Sequence, residues 1–80
     1  MTPGTIIRCT YGSSFTQLAQ VLGTARDGVR LKVRRWRNQS SRWTAEQIVH
    51  PDKVLGNGAP IPIVELPSGL RRALAEEAKA

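Results

Sequence analysis

Between Gly28 and Trp43 the chain reads GVRLKVRRWRNQSSRW, and its first half alternates residue by residue. Val29, Leu31 and Val33 fall on one side, with Arg30, Lys32, Arg34 and Trp36 on the other. Successive side chains of a β-strand point to opposite faces, so the pattern is that of a half-buried strand. The inward residues are aliphatic. The outward ones form a row of cations about 7 Å apart that ends in an indole. Arg35, Arg37 and Arg42 extend the positive field at the far end. A merely solvated strand face would mix Thr, Ser, Glu and Lys, whereas this one carries only cations.

The charge distribution is equally uneven. Between Arg26 and Arg42 stand seven cations against Asp27 alone, and elsewhere five cations meet five carboxylates, so this stretch holds the whole net charge of +6. Six of those seven cations are Arg. The guanidinium fork suits phosphate, and its flat face stacks on bases. With a pI near 10.8, such clustering is a footprint for a polyanion, most simply nucleic acid.

Eighty residues predict one domain with a small core and modest stability. The sequence contains no run of about 18 apolar residues and no charged leader followed by an apolar core. A basic strand also lacks the amphipathic-helix character of a membrane binder. The single cysteine, Cys9, allows no internal disulfide, and with one histidine it cannot make a four-ligand zinc site. A buried thiol and a reducing, cytoplasmic compartment are expected, with no cofactor.

Along the chain, Thr5–Tyr11 is rich in β-branched and aromatic residues and predicts a first strand. Adjacent Ile6 and Ile7 leave its parity open. Ile7, Cys9 and Tyr11 inward is the favoured choice, with Arg8 outward beside the basic row. Gly12–Ser14 reads as a loop. Over Phe15–Thr24, Leu18, Val21 and Leu22 have helical spacing while Leu18, Gln20 and Leu22 alternate. Shortness and the following Gly23 favour a second strand. Arg26-Asp27-Gly28 supplies a hairpin turn, and the central strand is expected from Gly28 to about Arg37. Asn38–Ser41 turns the chain, and Arg42–Val49 returns as a strand or, from Thr44, as a short helical turn. His50–Lys53 is a turn or one 3₁₀ turn, and Val54-Leu55 a short closing strand. Gly56-Asn57-Gly58 is the clearest break. Residues 1–56 thus form a small β unit. Residues 57–80 add a Pro-containing extended segment, in which Pro60 and Pro62 forbid a central strand. A last helix follows from Gly69 to Ala80, capped by Ser68, with Leu70 and Leu74 on one face. Arg71, Arg72, Glu76 and Glu77 oppose its dipole, so it must dock to persist.

Four features in that order carry a resemblance: Pro3-Gly4 before a strand, Val21-Leu22-Gly23 before a hairpin, Asp27-Gly28 opening a long strand, and His50–Leu55 (HPDKVL) before closure. Over roughly residues 3–56 the chain resembles the SH3-like small β-barrels, the group that includes KOW and Tudor modules. The fold this implies is a small five-stranded barrel. The chain after Gly56 has no counterpart in it, so with the helix read above the expected architecture is mostly β, an SH3-like barrel with a short C-terminal helix.

The expected function is nucleic-acid binding, DNA or RNA, largely independent of sequence. The contacts would come from Arg30, Lys32, Arg34, Trp36, Arg37 and Arg42, with Trp36 stacking on a base if exposed. Trp43, Tyr11 and Phe15 are assigned to the core. Ser13-Ser14 and Ser40-Ser41 could donate to phosphate but suit ordinary turns. His50 stands before Pro51 with no recognisable nucleophile motif, no phosphate-cradling glycine loop occurs, and no enzyme is expected. The competing expectation is a protein-binding adaptor or inhibitor of mobile-element type, its basic face on an acidic protein. APIPIVEL (Ala59–Leu66) would add to a partner's sheet edge. A symmetric homo-oligomer that pools its basic faces is a third.

Overall fold

The computed structural model describes residues 3–11 and 15–79, without the side chains of Tyr11, Phe15 and Asn57. The expectations for the Gly12–Ser14 loop, the Ser13-Ser14 donors, the Tyr11 and Phe15 rings and the end of the helix at Ala80 lie outside the described residues. The architecture is mostly β, a five-stranded antiparallel sheet followed by a helix. β1 (Ile6–Tyr11) pairs with β2 (Phe15–Thr24), which pairs with β3 (Leu31–Arg37). The far edge of β3 is shared by β4 (Arg42–Trp43) and β5 (Gln47–Val49). Among the described residues no helix is long and apolar enough to cross a membrane.

The expected closed barrel does not form; the sheet stays open. Val54 returns beside β1, yet it makes only an isolated bridge with Cys9, flanked by a hydrogen bond from the Leu55 N–H to the Arg8 carbonyl at 2.8 Å. The expected closing strand is cut short on both sides. Pro51 begins the 3₁₀ turn Pro51–Lys53, and Gly56, at a φ of 63°, begins the next, Gly56–Gly58.

The segment with two competing periodicities is a strand of ten residues. Ladders on both sides satisfy its backbone groups, which outweighs any helical spacing of Leu18, Val21 and Leu22. A bulge between Val21 and Gly23 inserts Leu22 and shifts the register with β3 by one residue. The central strand begins at Leu31 rather than Gly28, because residues 25–30 are a turn. Gly28 sits at a φ of 73°, as the Asp-Gly pair requires. Asp27 organises the turn: its Oδ1 accepts the N–H groups of Val29 at 2.9 Å and Arg30 at 3.0 Å.

The returning run Arg42–Val49 is a strand kinked once, with no helical turn. Trp43 stands opposite Trp36 and Gln47 opposite Val33, a slip of one residue. At the kink the Thr44 hydroxyl accepts the Arg35 N–H at 3.0 Å, while the Thr44 N–H donates to the Arg35 carbonyl at 2.9 Å. The slip inverts parity. It puts Trp43 and Ile48 on the same sheet face, opposite Trp36 and Lys32.

Two apolar clusters occupy the two faces of the sheet. One gathers Ile7, Cys9, Ala19, Val21, Leu31, Val33 and Val49, with Val54 against it. The other gathers Ile6, Trp36, Leu66 and Leu70, with Leu18, Trp43, Ile61, Ala73 and Leu74 packed around them. The ambiguity between Ile6 and Ile7 thus has a simple origin: both are buried, on opposite faces. The second cluster exists because the chain after Gly58 comes back over the sheet. The Ile61 N–H donates to the Ile6 carbonyl at 2.8 Å, and a 3₁₀ turn follows at Ile63–Glu65. Helix α1 (Ser68–Lys79) then lays Leu70, Ala73 and Leu74 on the sheet. It starts one residue earlier than the capping pattern predicts.

Candidate nucleic-acid interface

The alternation places Lys32, Arg34 and Trp36 on one face of β3, as expected. That face, however, is the one α1 covers. Trp36 is only 3% exposed, which corrects the expectation of an indole free to stack on a base. Its ring meets Trp43 edge to face, with centroids 5.1 Å apart and planes at 73°, a geometry worth about 0.5–1.5 kcal/mol beyond burial. Trp43 is half-buried in the same cluster.

Arg34 is engaged on three sides. Its Cζ lies 4.1 Å from the centre of the Trp43 ring, and its Nε donates to Gln20 Oε1 at 2.7 Å. Its Nη2 donates to both carboxylate oxygens of Glu77, at 2.7 and 2.8 Å. Gln20 is the cross-strand partner of Arg34, and Glu77 stands one heptad after Leu70 on the helix face that docks. From the sequence Glu77 reads only as a charge opposing the helix dipole, with no partner. The signal was present in the spacing Leu70, Leu74, Glu77, which continues the apolar stripe into a carboxylate.

The other cations divide into two groups. At one end of β3, Arg30 belongs to the turn and not to the strand, and its Nε donates to Asp27 Oδ2 at 2.6 Å. These bonds pull the Asp27 carboxyl from the ordinary 3.8 to about 2, chiefly through the Val29 and Arg30 amides and then through the Arg30 side chain. Lys32 is half-buried between Gly23 and Ile48 in the ladders. At the other end Arg37 and Arg42 are both exposed and stand directly opposite each other across β3 and β4. Like charges in that position are destabilising. An exposed Arg–Arg pair there is poorly suited to stability and well suited to an anion.

Arg35 faces the first cluster's side of the sheet, where its Nη1 donates to Gln17 Oε1 at 2.9 Å. Arg8 is exposed on the helix-bearing face, as expected. His50 caps the 3₁₀ turn that follows it, its Nδ1 accepting the Asp52 N–H at 3.4 Å. Cys9 is buried in the first cluster. Among the described residues no three His, Cys, Asp or Glu side chains are grouped to hold a metal ion.

No family model matches the chain, and neither a curated protein nor a solved structure matches it.

Proposed function

We propose that this protein binds nucleic acid by its phosphate backbone, largely independently of sequence. The observation that carries the reading is the placement of the charge. The stretch from Arg26 to Arg42 holds the entire excess of cations, and two of its exposed arginines, Arg37 and Arg42, face each other at the end of the sheet. β3 from Leu31 to Arg37 spans about 20 Å, the rise of about six base pairs. Arg30 extends the row from the turn, Lys32 lies half-buried on the helix-bearing face, and Arg34 supports the helix rather than leading the contact. The return of the chain beside β1 at Cys9 and Val54 supports grouping this open sheet with the SH3-like modules.

Fluorescence anisotropy with labelled duplex DNA, single-stranded DNA and RNA of matched length, titrated across salt, tests the reading. Binding should weaken steeply with salt. Arg37→Ala with Arg42→Ala should lower the duplex slope of log K against log [salt] by about 0.9 for each phosphate no longer neutralised. No binding to any of the three at low salt would remove the proposal.

A second reading, an adaptor for an acidic protein, is favoured by one observation. Ile63 and Val64 are 69% and 82% exposed on the turn between Pro62 and α1. On the same segment Ile61 is half-buried and Leu66 buried. Self-association abolished by Ile63→Ser with Val64→Ser would support it.

A further inference from the structure

β3 parts from β2 after the Ala19–Arg35 pair, and from Trp36 onward only its other edge is laddered, to β4. β2 runs on toward Phe15, paired with β1 alone. Between the diverging strands lies a cleft of about 720 Å³, within the range of small-molecule sites. Its wall has three kinds of surface. Leu18, Trp36 and Pro67 are apolar; Gln17, Asn38, Gln39 and Ser40 offer hydrogen bonds; and Arg35 and Arg37 bring positive charge. Among the described residues no carboxylate lines it. Arg35 is held at the Gln17 side chain and anchored through its backbone to Thr44, so its position is set before any ligand arrives.

Resting on the nucleic-acid reading above, we infer that this cleft seats one unpaired nucleotide and gives the protein a preference for single strands. A nucleotide carries the same three chemistries as the wall: a flat apolar base face, a hydrogen-bonding base edge and an anionic phosphate. Side-chain amides both donate and accept, so Gln17, Asn38 and Gln39 can pair with the edge of any base. A duplex cannot use the cleft, because its bases are stacked and paired, and extruding one costs a few kcal/mol. An acidic peptide adding to the β2 edge would find only the short stretch of residues 15–18 beyond the last ladder pair, about 13 Å of strand. That is too little for a ladder, and the space is a compact cleft, not a groove.

The test compares a labelled oligothymidylate with a duplex of matched length, using two variants that leave every charge in place. Thr16→Phe fills the cleft from an exposed strand position, and Asn38→Ala with Gln39→Ala removes the amides from the exposed hairpin turn. Oligothymidylate should bind the unmodified protein at least about tenfold more tightly than duplex, the yield of one good charge-assisted hydrogen bond. Each variant should lose that margin while its duplex affinity stays within about twofold, less than the loss of one such bond. Nuclear magnetic resonance supplies a second readout: the Trp36 indole and Gln17 amide signals should shift with oligothymidylate and not with duplex. Equal affinity for both nucleic acids, unchanged by either variant, would overturn the cleft assignment and leave the basic-surface reading standing. Loss of all binding to nucleic acid in the unmodified protein, with polyglutamate bound and then released by Thr16→Phe, would overturn both and give the cleft to an acidic chain.

Discussion

Arg34 and Glu77 are 43 residues apart in the chain, yet one guanidinium nitrogen holds both oxygens of the carboxylate. This contact pins the last turns of α1 over the strand that carries the basic row. The guanidinium is partly covered, at 23% exposure, and the carboxylate is 47% exposed. Solvent therefore screens the pair, and its contribution belongs with surface ion pairs.

Glu77→Gln should lower stability by no more than about 1 kcal/mol. It also removes a negative charge from the basic surface, so affinity for DNA at low salt should rise. Urea melts and anisotropy on the same sample check both directions, and a fall in affinity would contradict this account of Arg34.

Leu70 carries the helix far more than Glu77 does. It is fully buried against Trp36 and Leu66, and Leu70→Ala should cost about 2–5 kcal/mol. In so small a chain that is a large share of the total. Tryptophan emission should shift to the red at lower urea than in the unmodified protein, because the helix shields both indoles.

The turn at Asp27 should make stability fall at acid pH. Its folded-state pKa lies below the ordinary value, so its stabilising bonds are fully present above about pH 4 and are lost as pH falls toward its folded value of about 2. The thermal midpoint of Asp27→Asn should fall less between those values than that of the unmodified protein. Parallel curves would assign the acid loss to other carboxylates.

Two turn residues predict opposite effects. Ser41 ends the β3–β4 turn at a φ of 51°, in the left-handed region that glycine adopts without penalty, while Gly28 already occupies it at 73°. Ser41→Gly should raise stability by up to about 1 kcal/mol and Gly28→Ala should lower it by about the same. Chemical denaturation of both variants reads the sign.

Much of this arrangement was legible in the chain. Leu31 and Val33 point to one core, and Lys32, Arg34 and Trp36 share the other face, because strand parity is local. Alternation does not say what lies over a face, however. Trp36 and Arg34 are covered by residues from Leu66 onward, a relationship that no short window contains. The helix after Ser68 was visible as one that must dock, and its seat was not. The barrel failed to close for a reason written in the sequence but easily outvoted: Pro51 and Gly56 bracket Val54 too tightly for a strand. The five cations and one indole expected to form one surface are instead divided between a turn, a helix-covered strip and an exposed hairpin. The cleft beside β2 had no signature, since Thr16 and Gln17 read as ordinary strand residues and Asn38, Gln39 and Ser40 as ordinary turn chemistry.

The two neighbouring isoleucines of β1 raise a problem of alignment that Arg8 resolves. Sliding the strand one place forward would keep Ile6 buried, in the slot of Ile7, but move Ile7 to the exposed slot of Arg8. Sliding it back would keep Ile7 buried, in the slot of Ile6, but move Ile6 to the half-buried slot of Thr5. Either slip also carries Arg8 into a site with no solvent access, that of Cys9 or that of Ile7, where an unpaired charge is prohibitive. Arg8 therefore works as a detent, keeping the first strand from threading past its neighbour in either direction.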